Sequence, residues 1–375
     1  MKKFNTTGPC FPDEHYMLPA LDRLPGVREL VAGGDYFVVH APRQTGKTTA
    51  LKALVREINE KGDMFALYCT LETLQNRSDP EKTNLAIRDL VTDNAEMSTF
   101  FQPAPGAPGL RSDRGGIGLA VRTVLQNLCR AVGKPVVVFF DEADCLVGDA
   151  LISFLRQLRD GYVNRKEIPF PKSIALVGML DVRDYKAQIR PDGQSLGQIS
   201  PFNIIRKDML IPNFTESDIR ALYAQHTAET GQVFAEGVIE DVWRLTRGQP
   251  WLVSAIGCEC VEEIHSYHYS EPITVADVEE AKEAIIRRNP VHLDYLFHIA
   301  NHPSVRPFLD AALTGSVTDE QREDRQFRLL LHLGLLKEDG DRMQFSFSNE
   351  IYKTCWERLE QVDCSQMTSV HKCHK

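Results

Sequence analysis

Nine residues constrain this chain more than any others: Ala41-Pro42-Arg43-Gln44-Thr45-Gly46-Lys47-Thr48-Thr49, set between a strand-like run and a helical one. Tyr36–Val39 supplies the strand, and Leu51, Leu54, Val55 and Ile58 recur at the i, i+3, i+4, i+7 spacing of one helix face. A glycine-containing turn in that position aims backbone N–H groups and the following helix dipole at one point, which favours a phosphate. Lys47 then reads as a surface-facing ligand for β/γ-phosphates and Thr48 as a hydroxyl ligand for Mg²⁺, with Thr49 and the residues from Ala41 to Gly46 lining the phosphates. The motif normally begins with glycine. Ala41 is tolerated in its place if φ stays negative there.

Further strands are predicted at Phe65–Thr70, Val136–Phe140, Ile174–Val177 and Met209–Ile211, alternating with helical stretches inside 78–132 and at 149–163. Strands alternating with helices imply crossover connections and a parallel sheet. The run Val136-Val137-Val138-Phe139-Phe140 has the uninterrupted apolar character of a strand buried on both faces, and Asp141-Glu142 ends it. An acidic pair at that strand end completes a Walker B site: Asp141 holds Mg²⁺ through water and Glu142 polarises the attacking water. Asp141-Glu142-Ala143-Asp144 also spells a helicase-type motif, but a helicase needs a second strand-rich motor and the chain beyond residue 212 reads helical. Past the fourth strand, Arg183 sits where a polar side chain reports the γ-phosphate, and a bidentate guanidinium suits that task. A surface ion pair with Asp181 or Asp184 fits Arg183 equally well. Arg206 and Lys207 read as a solvated basic pair.

Composition narrows the class. Charged residues make up 25% of the 375 residues, apolar ones 43%, and the net charge of −9 argues against a chain built to coat nucleic acid or anionic lipid. No apolar run approaches the roughly 20 residues needed to span a bilayer, and no signal-peptide pattern follows Met1. Nine scattered cysteines fit free thiols. The expectation is a cytoplasmic protein with no membrane partner.

Five segments are expected: an irregular N-terminal stretch at 1–28, an ATPase core at 29–212, a helical unit at 213–288, a helices-plus-hairpin unit at 289–362 and a flexible tail at 363–375. The tail holds Cys364, His371, Cys373 and His374, metal-ligand residue types without the short loops of a zinc knuckle.

With Phe4-Asn5-Thr6-Thr7-Gly8-Pro9 and His15-Tyr16 ahead of the P-loop, the chain resembles the STAND branch of AAA+-related P-loop ATPases, in particular bacterial AAA-like proteins, over about residues 4–360. The resemblance implies an α/β P-loop NTPase core of strand order 5-1-4-3-2, a helical lid and a C-terminal winged helix. It also implies that Gly248-Gln249-Pro250 replaces the AAA+ sensor-2 arginine, with Pro250 near the adenine. The function so implied is a slow ATPase acting as a molecular switch, in which ATP or ADP, with Mg²⁺, sets the position of lid and winged helix. The alternative is a DNA-associated ATPase, a loader or transposition helper that grips duplex through the winged helix. Residues 289–362 hold 8 Lys and Arg against 12 Asp and Glu, a net of −4. A phosphate-binding domain should be basic, so a protein partner or self-assembly is favoured over DNA.

Overall fold

The computed structural model describes residues 1–75, 77–111, 116–180, 201–340 and 344–372; the side chains of 201–202 and 362–372 are outside that description. It divides into two compact units, one of residues 19–41 and 46–211, the other of 1–18, 42–45 and 212–375. The irregular stretch expected at 1–28 is therefore split between them.

In the α/β unit, five strands lie in the order β2-β3-β4-β1-β5, all paired parallel: β1 (Tyr36–His40), β2 (Phe65–Thr70), β3 (Val136–Asp141), β4 (Ser173–Gly178) and β5 (Ile205–Leu210). This is the expected 5-1-4-3-2 order. Every residue of β3 and β4 is buried, as continuous apolar runs in a parallel sheet require. Alternation along β1 sorts the core into two layers. Phe37 and Val39 join Leu51, Leu54 and Ile58 of α2 (Lys47–Lys61), together with Val27 and Val31 of α1 (Val27–Gly33). Tyr36 and Val38 face the side of α3 (Pro80–Met97), α4 (Ala120–Val132) and α5 (Gly148–Asn164). The buried Asn59 amide clamps α2 to β2, donating to Ala66 O at 2.8 Å and accepting from Ala66 N at 2.9 Å.

Two features differ from expectation here. Helix α1 starts at Val27, just after Pro25 and overlapping only the last two residues of the stretch expected to be irregular, and is entered through Gly26 at φ +84°. Strand β5 starts at Ile205, four residues before the predicted Met209. Its Arg206, Lys207 and Asp208 are exposed, and polar side chains along a sheet edge hide the strand from an apolar-run reading.

The other unit is mostly helical. Helices Glu216–Thr230 and Val275–Arg288 begin with reciprocal capping boxes, Thr215 with Asp218 and Thr274 with Asp277. Val238–Thr246 and Pro250–Cys258 lie between them, the latter continuing as a π-helical stretch over Glu259–Ile264. Gly248 has φ +71°, and a Cβ there would collide with Phe214 O; this position requires glycine before Pro250 can open its helix. Helices Val291–Ala300, Arg306–Thr314, Asp319–Glu323 and Arg325–His332 precede an antiparallel hairpin of β6 (Leu336–Asp339) and β7 (Gln344–Phe347). Helix Glu350–Lys372 follows. It occupies most of the expected flexible tail, because no Pro or Gly interrupts the sequence between Glu350 and Lys372.

Residues 1–18 belong to this unit. Lys3 bridges to His15, Phe4 packs onto Gly257 and against Tyr223, and Trp251 Nε1 donates to Thr6 O at 2.9 Å. Among the described residues no helix is long and apolar enough to cross a membrane.

Two buried histidines couple this unit to pH. His226 sits between Tyr16 OH and Gln232 Oε1, and burial lowers its pKa. His292 pairs its Nε2 with Tyr352 OH at 2.9 Å, and burial, reinforced by the Arg43 charge, pushes its pKa down to about 4. A histidine held neutral in the folded state takes up its proton on unfolding below pH ~6.5, so stability is lost as pH falls. Urea unfolding should show about 2 kcal/mol less stability from His292 at pH 5 than at pH 7.5. His292→Gln, which keeps a hydrogen-bonding group for Tyr352, should flatten that slope; an unaltered slope would refute the assignment.

Candidate functional site: a phosphate loop and a carboxylate hub

The loop after β1 is shaped by its own backbone. Ala41 donates its N–H to Gly178 O at 3.2 Å and is not among the residues with positive φ, which is why the missing first glycine costs nothing. Gln44 and Gly46 do adopt positive φ, +56° and +90°. Left-handed residues within a turn direct successive N–H groups to one side, forming an anion nest. Thr45 Oγ1 closes the turn by donating to Pro42 O at 2.8 Å. Gly46 is the N-cap of α2, so the helix starts at Lys47. The Lys47 side chain was expected to face the surface. Instead it is buried and donates from Nζ to Ala41 O at 2.8 Å, folded back over the loop. A buried ammonium must be hydrogen-bonded, and the Ala41 carbonyl supplies one acceptor.

Asp141, the last residue of β3, is buried and held by three donors. Thr48 Oγ1 and Tyr68 OH each donate to Oδ2 at 2.8 Å, and Glu142 N donates to Oδ1 at 3.0 Å. A threonine hydroxyl and a carboxylate 2.8 Å apart are hard oxygen donors of the kind Mg²⁺ prefers. Thr48 and Asp141 therefore fit the metal role, and the nest with Lys47 fits polyphosphate. The Tyr68 phenol is pushed strongly upward by burial and by the Asp141 charge, so it stays a proton donor.

Glu142 is partly exposed and has φ +53°. Left-handed backbone costs a non-glycine residue about 1–2 kcal/mol, and such strain gathers where a side chain must be aimed. Behind it, Asp144 Oδ2 accepts from Met179 N at 2.8 Å, while Oδ1 is buried without a hydrogen-bond partner among the described residues and rests against Gly178. Burial raises the Asp144 pKa, opposed by the Met179 N–H and the Lys47 charge. The fourth letter of the helicase-like motif thus ties the β3 end to the β4 end.

Sequence reasoning missed Tyr68 and Asp144. The signal for Tyr68 lies in the register: Thr70 pairs with Asp141, and Tyr68, two residues earlier, shares its face. That inference needs the β2–β3 pairing first. Arg183 lies outside the described residues, as do Cys373 and His374. Pro250 is the buried first residue of its helix in the other unit.

No known family profile matches the sequence, and no curated protein matches it. Solved structures do. A Walker-type ATPase of Pyrococcus abyssi aligns over 94% of this chain and 99% of its own at 16% identity, with a TM-score of 0.55. Cdc6p of Pyrobaculum aerophilum aligns over 89% and 90% at 15% identity, with a TM-score of 0.50. The fold is that of a P-loop NTPase. Within that P-loop fold, the loop from Ala41 to Thr49 and the Asp141 hub occupy the carboxyl ends of β1 and β3, the edge where open parallel sheets bind ligands.

The strained Glu142 backbone gives a direct test of whether this site trades stability for geometry. Glu142→Gly should raise the unfolding free energy by up to about 1 kcal/mol in urea melts. A loss of stability would mean that the left-handed turn is not strained.

Proposed function

We propose that the chain binds ATP with Mg²⁺ and hydrolyses it slowly, as a STAND/AAA-like switch whose nucleotide state sets the lid (213–288) and the C-terminal winged-helix-like segment (289–362). The observation that carries the enzymatic half is the hub at Asp141, where Thr48, Tyr68 and Glu142 converge on one carboxylate. In this reading the nest from Ala41 to Gly46 cradles the β-phosphate, and Lys47 leaves Ala41 O for the β/γ-phosphate oxygens. Mg²⁺, held by Thr48 and through water by Asp141, would neutralise charge developing on the transferred phosphoryl group. Glu142, aimed by its left-handed backbone, accepts the proton of the attacking water. Pro250 contacts the adenine and Arg183 reports the γ-phosphate.

The switch half is supported by contacts of the loop tip within the helical unit. The Arg43 guanidinium lies 4.4 Å above the Tyr295 ring centroid. Pro42 packs so closely on Gly334 that a Cβ there would strike the proline ring. Tyr295 and Gly334 both fall in the 289–362 segment, so a change in the loop on binding phosphate is felt there first. The net charge of −4 over that segment keeps a protein partner or self-assembly ahead of duplex DNA.

Two experiments test the enzymatic half of the proposal. Lys47→Met keeps the buried stem but loses the ammonium, and calorimetry should find no ATP binding in a folded variant. Glu142→Gln should bind ATP normally yet turn over at least about 100-fold more slowly. ATP affinity untouched by Lys47→Met would sink the nucleotide site, and wild-type turnover in Glu142→Gln would place the base elsewhere. For the switch, Tyr295→Ala removes a cation–π contact of about 0.5–1 kcal/mol and should speed ADP release about two- to fivefold. Unchanged release would remove the C-terminal segment from control of the loop.

A further inference from the structure

Asp141 has an unusual set of donors for a metal carboxylate, because two of the three share one oxygen. Thr48 Oγ1 and Tyr68 OH both donate to Oδ2 at 2.8 Å, while Oδ1 accepts the Glu142 N–H at 3.0 Å. The two hydroxyls are not equivalent. Thr48 is the first-turn hydroxyl of α2, and the nucleotide reading gives it a second task as a metal ligand. A hydroxyl has one O–H and two lone pairs, so Thr48 can ligate a cation while still donating to Asp141, but its place is then set by the ion as well as by the carboxylate. Tyr68 has no such second task. Its ring is half-buried on β2, in the register Tyr68↔Phe139, Thr70↔Asp141.

We propose that Tyr68 is the positioning residue for the metal carboxylate: its hydroxyl, held on β2 and apart from the phosphate loop, keeps Asp141 in one rotamer. This rests on the nucleotide-site reading above and deepens it. The physical reason is that a buried carboxylate with a free χ2 torsion must be ordered each time a metal binds, and a fixed donor removes that requirement. The phenol suits the task because it reaches Asp141 Oδ2 at 2.8 Å from a neighbouring strand, a direction independent of the helix that carries Thr48. Partners that orient a metal ligand typically change metal affinity 10–100-fold when removed.

The test uses the full-length chain and Tyr68→Phe, which keeps the ring and removes one oxygen. Calorimetry with a slowly hydrolysed ATP analogue is run first in EDTA and then at stepped MgCl₂. The expected result is equal nucleotide affinity in EDTA for wild type and variant, and about a tenfold higher Mg²⁺ concentration for half-maximal tightening in the variant. Saturating Mg²⁺ should return turnover close to the wild-type rate, a split between metal affinity and kcat that a folding defect would not give. Tyr68→Trp, which places a ring N–H donor on the same strand, serves as the second variant should Tyr68→Phe melt early; it should fall between the other two. An identical Mg²⁺ dependence in wild type and Tyr68→Phe overturns the inference alone. Failure of the wild-type chain to bind the analogue in any condition overturns the site reading, and this inference with it.

Discussion

One carboxylate organises the chemistry of this chain. Asp141 draws a hydroxyl from the first turn of α2, a phenol from β2 and the backbone N–H of the residue that follows it. Each donor comes from a different element, so the Asp141 oxygens fix the start of a helix, the end of one strand and the turn after another at once. A buried charge costs several kcal/mol unless it is fully hydrogen-bonded. That cost is why the three donors cannot drift independently, and why Glu142 is driven into a left-handed conformation directly beside them.

The charge distribution around the hub explains the resting position of Lys47. Its ammonium is buried and takes Ala41 O, while the electrostatic influence of Lys47 reaches Asp144 behind the sheet end. In the proposed function a polyphosphate would enter by exchanging one acceptor of Lys47 for another, the carbonyl of Ala41 for a phosphate oxygen.

Much of this was legible in the sequence because the relevant signals are local. The loop motif, the acidic pair after a β-branched run and the alternation of strands and helices need only a window of about 15 residues. The order 5-1-4-3-2 came from resemblance; periodicity alone was merely compatible with it. Illegible features share a different origin. Tyr68 sits in an apolar-looking strand, and its role depends on which strand lies next to it. Helix α1 is a short run of seven residues directly after Pro25 and Gly26, and β5 hides behind its own exposed polar residues. Lys47 burial depends on how the loop folds back on itself, which no motif encodes. Residues 1–18 looked like an irregular leader, yet Phe4, Thr6 and Tyr16 find partners more than 200 residues away.

That last distance sets an order of events during synthesis. The α/β unit spans 19–211 apart from four loop residues, so it has nearly all its strands once β5 has been made. The helical unit takes residues from both sides of the α/β unit, 1–18 ahead of it and 212–375 after it. Phe4 has no Gly257 to rest on, and Thr6 no Trp251 to accept from, until some 250 further residues have been added; at about 5–20 residues per second that is roughly 10–50 seconds. Through that interval Phe4 and Tyr16 wait for their partners. A nascent chain of this design keeps an aromatic segment exposed to chaperones and proteases while the whole α/β unit is made.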